Sequence, residues 1–347
     1  MPSPYRHTPG VPKNAATGLV ARVYAQMAED FLLADGPLMS LSPAPEVLAA
    51  TWALLREAEL AGEASRIEKE AAASAVSRVN RCPFCTEAHA LLVHGAGDHR
   101  LAESVRTGAA PQDSGQAAVV AWAEATRSPG APDLAAPPFP ERLAPEFLGT
   151  ALATHFINRM VTSLLDEPAL LPGAVHRSQL VRRVAGRVVQ RAARLLLAPG
   201  RSLELLGPEA ESGPVPAWAG PGPIGRAYAA LRAVGERGGR TLGAEGRAAV
   251  LAAVAAWDGT HPPLGGGRLE SPLGGLGPDD RPAARLALLA ALAPYRITDE
   301  QVAEWRERHG EAADGGELVR VLAFGAMAAV TRVEGWITAA TLTAPSV

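Results

Sequence analysis

Apolar residues recur three and four positions apart in segment after segment of this 347-residue chain, and strict alternation of any useful length is absent. Three-and-four spacing lines one face of a helix, whereas a half-buried strand needs a period of two. Between the segments stand Gly- and Pro-rich breaks, which end helices and supply turns. The expectation is an all-α array. Aromatics are only 5% of residues, so Ala, Leu and Val must fill the cores, a bias that suits closely packed helices.

Residues 1–16 read as a loose leader, and the helical pattern starts at Gly18 with LVARVYAQMAEDFLL. SPAPEVLAATWALLREAEL follows, with Ser42 as the expected cap and Pro45 in the first turn. The next helix is expected from about Ser65 to Val79, then a turn at Asn80-Arg81, then a helix over Pro83 to His94 stopped by Gly95-Ala96-Gly97. A short helix near His99 to Arg106 and the helical QAAVVAWAEATR come next. SPGAPDLAAPPFP reads as a long connection without regular structure, and Pro145 to Leu165 as one long closing helix.

Gly173 to Leu197 carries Arg177, Arg182, Arg183, Arg187, Arg191 and Arg194, several at four-residue spacing, with Leu180, Val184, Val188 and Leu195 on another face. This reads as a solvated amphipathic helix, with a basic surface for an acidic partner as the alternative. Residues 199–223 read as a Pro/Gly-rich linker. Beyond it the first unit returns: GRAYAALRAV echoes ARVYAQMAED, GRAAVLAAVAAWDGTHPPL echoes KEAAASAVSRVNRCPFC, and ELVRVLAFGAMAAVTRVEGWI echoes EFLGTALATHFINRMVTSLL. Sliding these together sets Arg247 at Glu70, Gly259 at Cys82 and Pro262 at Cys85. The second copy therefore lacks thiols and the acid. The expected division is an active unit over 17–170, a basic helix plus linker over 171–223, and a degenerate repeat over 224–341.

Both cysteines fall in one C-x-x-C, Cys82 and Cys85, with His89 four residues on and Glu70 twelve before. On a helix starting near Cys82, positions 85 and 89 share a face one turn apart. A thiol at a helix N-terminus beside a base is partly ionised, and the thiolate is the nucleophile. A second thiol in the same turn can capture a sulfenic acid before over-oxidation. The duller reading is zinc on Cys82, Cys85 and His89, with Glu70 or His155 as fourth ligand, though no further cysteine exists to complete the usual set. His94 and His99 read as solvent-facing, His155 as a core or pocket-lining residue, and Asn158 and Arg159 as structural ties.

KEAAASAVSRVNRCPFCTEAH, together with FINRMVTSLL downstream, resembles the signature of the alkylhydroperoxidase D-like, carboxymuconolactone decarboxylase superfamily. The likeness covers residues 20–167 well and 224–340 weakly. It implies an all-helical fold and a disulfide-cycling peroxidase. In that scheme Cys85 is the peroxidatic thiol, Cys82 gives a proton and resolves the sulfenic acid, His89 takes the thiol proton, and Glu70 completes the relay. Some members carry a His between the cysteines; here Pro83-Phe84 stand there. The resemblance also implies no cofactor beyond an external thiol reductant, dihydrolipoyl or thioredoxin-like, a hydroperoxide substrate and a homo-oligomer. A general dithiol-disulfide oxidoreductase or a redox sensor would use the same residues, whereas lactone decarboxylation needs no dithiol.

A net charge of −3 offers no electrostatic case for nucleic acid or anionic lipid. MPSPYRHTPGVPKN lacks the apolar core of a signal peptide, and no apolar run approaches a membrane span. Two cysteines without an export signal point to a reducing cytoplasm.

Overall fold

The three-and-four pattern is realised as helix after helix, and among the described residues only two isolated β-bridges, Tyr5 with Leu165 and Ala61 with Leu197, break it. The computed structural model of the chain describes residues 4–31, 35–166, 197–207, 213–263 and 267–342. The principal helices are α1 (Gly18–Asp30), α2 (Pro45–Leu55), α3 (Arg66–Val79), α4 (Pro83–Ala96), α5 (His99–Thr107), α6 (Ser114–Ala125) and α7 (Ala144–Leu164). The C-terminal half adds α8 (Pro223–Gly238), α9 (Ala244–Ala255), α10 (Asp280–Leu292), α11 (Asp299–His309) and α12 (Gly315–Leu342). The fold is all-α. No described helix is long and apolar enough to cross a membrane.

Local chemistry sets the boundaries. Ser65 accepts from the Glu68 N–H and starts α3, while Asp98 and Asp113 do the same for α5 and α6. Gly97 and Gly108, both left-handed, end α4 and α5. Ser42 does not cap α2. Its hydroxyl donates to Met39 O and accepts from Val11 N–H, and Ala44 takes the N-cap position before Pro45.

Around this frame, α3 packs against α4, α6 and α7, and α7 runs along α12. Helix α8 lies against both α2 and α12, and α10 sits between α9 and α12. One continuous apolar cluster, including Trp52, Trp122, Phe156, Trp305 and Phe324, spans both halves. The α10–α12 approach is so close that a Cβ on Gly325 would overlap Ala287 O.

Three expectations about loose segments are corrected. The leader is packed: His7 and Thr8 are buried, and Arg6 N–H donates to Leu164 O at 3.0 Å. Within the expected linker, Arg201–Leu205 forms a 3₁₀ helix whose Ser202 is buried against Glu57, an acid that needs its donors. Pro132–Ala135, inside the Pro-rich connection, makes one short helical turn because a proline at the first position loses no hydrogen bond. The Arg-rich helix expected over Gly173 to Leu197 lies outside the described residues except for Leu197 itself.

Candidate active site

Helix α3 ends at Asn80, and Arg81 then adopts a left-handed conformation, φ +59°, the only such non-glycine among the described residues. That residue swings the chain round so that Cys82 becomes the N-cap of α4, with its N–H donating to Ser77 O at 2.9 Å. Pro83 opens the helix at a position where a missing N–H costs nothing. The Cys82 carbonyl accepts from both the Thr86 N–H and the Thr86 hydroxyl, each at 3.0 Å, and Ser74 ties the same turn to α3. Cys85 is thus held in the first turn of α4, at the positive end of the helix dipole, where a thiolate is favoured.

The two sulfurs lie 2.6 Å apart as thiols, with Cys82 fully buried and Cys85 5% exposed. A disulfide needs about 2.05 Å, so only a small adjustment separates the pair from bonding.

One turn beyond Cys85, His89 places Nδ1 2.7 Å from Glu70 Oε2. Glu70 is 1% exposed, and its other oxygen accepts from Arg66 Nε at 2.6 Å. Burial alone would raise the Glu70 carboxyl; the Arg66 guanidinium and the His89 hydrogen bond outweigh it and bring it down to about 2. Burial likewise pulls His89 down, but the Glu70 hydrogen bond and the Glu59 charge raise it overall. With Nδ1–H donating to Glu70, the neutral ring keeps Nε2 as its basic atom.

Sequence reasoning missed Glu59. It comes from Arg56–Leu60, a π-helical turn that continues α2 and rotates this acid inward. Its Oε1 lies 3.9 Å from both His89 Nδ1 and Arg66 Nη2, and Oε2 is buried with no hydrogen-bond partner. Burial, then the charge of Glu70, push its carboxyl up to about 7. Glu70 is therefore the ionised acid, and Glu59 holds a proton over most of the acidic range. REAEL carries Arg56, Glu57 and Glu59 together, and nothing in that run marks which acid turns inward.

Glu59, Glu70 and His89 also form the one described group whose donor atoms converge closely enough for a metal ion. Arg66 already neutralises Glu70, and the cysteines do not belong to that group. His155, the other suggested ligand, is fully buried elsewhere, between Asn80 and Thr126. His94 and His99 meet as a tilted pair, ring centroids 4.1 Å apart, outside this cluster.

Residues 45–125, from the start of α2 to the end of α6, match the sequence pattern of the carboxymuconolactone decarboxylase family. The segment contains Glu59, Glu70, both cysteines and His89. The chain is also 38% identical over 336 residues to an alkyl hydroperoxide reductase of Mycobacterium tuberculosis, an alignment covering 96% of this chain and 95% of that protein. No solved structure matches it.

Proposed function

Because this chain belongs to the carboxymuconolactone decarboxylase family, we propose that it is a thiol-dependent peroxidase cycling through a Cys82–Cys85 disulfide. The observation that carries this reading is the pair of sulfurs 2.6 Å apart, in the same helix as a histidine bonded to a buried, ionised glutamate. The name of the mycobacterial relative supports peroxide as the oxidant.

The cycle balances as follows. His89 Nε2 takes the Cys85 proton, and Glu70 stabilises the imidazolium through Nδ1–H. The Cys85 thiolate attacks the terminal oxygen of ROOH; the O–O bond breaks, the alkoxide takes the proton back from the His89 imidazolium and leaves as ROH, and Cys85 becomes a sulfenic acid. Cys82 then attacks that sulfur, the S–O bond breaks, and water departs as the disulfide forms. Two electrons from an external dithiol, dihydrolipoyl or thioredoxin-like, restore both thiols. Cys85 is the more exposed sulfur, which suits the attacking role, and buried Cys82 suits the resolving one. The dithiol argues against lactone decarboxylation.

The same reading treats 17–170 as the active unit and 224–341 as a degenerate repeat that shelters it, in a cytoplasmic homo-oligomer. In the register of the repeat α9 answers to α3 and α12 to α7, and α9 packs on α12 as α3 packs on α7, which supports two related units.

The test is a thiol count after adding cumene hydroperoxide to reduced protein. The expected result is loss of two thiols per chain, with none lost in Cys85→Ser. In Cys82→Ser a single thiol is lost and the sulfenic acid reacts with dimedone. Unchanged thiols in the parent protein overturn the peroxidase reading.

A further inference from the structure

Asn80, which leads into the cysteine turn, also borders a second polar centre made by both halves of the chain. Arg127 follows α6, Asn158 and Arg159 come from α7, and His261 lies between α9 and α10; together they wall a cavity of about 10 Å³, the room of one water-sized sphere. Arg159 is 2% exposed and Arg127 7%. Among the described residues neither forms an ion pair. Arg127 donates to Gly259 O, Asn80 Oδ1 and His261 Nδ1. Arg159 donates to Ala291 O through Nε and to His155 O through Nη1. Both guanidinium groups also lie over the Trp257 ring, at 5.1 and 5.7 Å.

The histidines add no negative charge and no positive one. His261 Nε2–H donates to Val79 O, leaving Nδ1 to accept from Arg127. His155 Nδ1 accepts from Asn80, and its Nε2–H donates to Thr126, whose own hydroxyl proton goes to Ala123 O. Both rings are therefore neutral. Burial pulls Arg159 down to about 9 and Arg127 to about 10, so each remains a cation at neutral pH. Carbonyl dipoles and an indole face offset part of this charge. Two like charges taken from water still ask for an opposite one.

We propose that the cavity walled by Arg127, Arg159, Asn80, Asn158 and His261 binds one monatomic anion of the halide class. Both guanidinium groups line it, no carboxylate among the described residues does, and its small room favours a monatomic ion. The bound ion neutralises the arginine pair and pins the turn before Cys82 to the C-terminal half. Anion binding at this cavity does not depend on the thiol chemistry.

The test uses the full-length chain, with Tm measured in sodium chloride against sodium gluconate at fixed ionic strength. Chloride is expected to raise Tm saturably, by about 2–4 °C at ten times its dissociation constant. Arg159→Gln is expected to lose that response, and crystals grown in bromide to show anomalous density in the cavity. Should the variant not fold, the bromide density in the parent protein decides. Equal Tm in the two salts at every concentration, or bromide found only elsewhere, overturns the proposal.

Discussion

Glu59 and Glu70 are both buried acids beside His89, yet they move in opposite directions, because Arg66 and His89 pair closely with Glu70 while burial and the Glu70 charge dominate at Glu59. Glu70 has an ordinary value of 4.5 and lies near 2 when folded. Its contribution to stability is therefore complete above pH 4.5 and is lost as pH falls through the folded value. Glu59 behaves inversely. The unfolded chain releases that proton near 4.5 and the folded chain near 7, so stability falls as pH rises across that window. Glu59→Gln is accordingly expected to exceed the parent protein in stability at pH 8, by on the order of 1–3 kcal/mol, with the difference vanishing near pH 4.5. Urea denaturation at the two pH values checks this, and a less stable variant at pH 8 would mean that Glu59 is ionised and partnered. Glu70→Gln has the opposite expectation. It removes the charge that holds both Arg66 and His89 and leaves one acceptor oxygen for the two, so the His89 ring titrates lower, visible by NMR, and peroxide-driven thiol loss slows about 10²-fold or more.

At the scale of elements, the α3–α4 turn depends on Arg81 holding a positive φ that costs a non-glycine residue about 1–2 kcal/mol. The Arg81 guanidinium lies over the Tyr295 ring at 5.9 Å, an attraction that offsets part of that cost. A β-branched residue fits that backbone worst, so Arg81→Val is expected to destabilise by about 1–3 kcal/mol and to loosen the Cys82 turn. Arg81→Gly should stay close to the parent protein; denaturant midpoints compare them. How far such elements can be read in advance depends on whether the deciding contact is local. Ser65, Asp98 and Gly97 act within one turn of themselves, so the helices bearing the cysteines and His89 were legible with their boundaries shifted by a residue or two. The approach of Glu70 to His89 was legible only through a family likeness, since it depends on two helices packing. The π turn that brings in Glu59 had no local signature at all. Ser42 misled because its hydroxyl found partners at Val11 and Met39, and the first residues looked loose because Leu164, which holds Arg6, is far along the chain.

In the whole molecule, the two halves share their polar bonds as well as their core. Val79 O, at the end of α3, accepts from His261; Arg159 on α7 reaches Ala291 O; and Arg320 on α12 pairs with Glu46 on α2. Gly259, at φ +86°, is pressed so near Arg127 O that any side chain there would collide with it. Ending the chain at Gly207 would remove every one of these partners. Buried Arg127 would lose Gly259 O and buried Arg159 would lose Ala291 O, each loss costing about 1–3 kcal/mol. The faces of α2 and α7 that now meet α8 and α12 would be opened to water, an apolar area that favours association. The truncated chain, although it keeps Glu59, Glu70, Cys82, Cys85 and His89, is therefore expected to self-associate, to melt at least 10 °C lower, and to lose most of its peroxide-driven thiol oxidation. Sedimentation velocity, calorimetry and the thiol count test the three consequences separately. A monomeric fragment with the parent protein's melting temperature and thiol turnover would show that the C-terminal half neither shelters nor supports the cysteine helix.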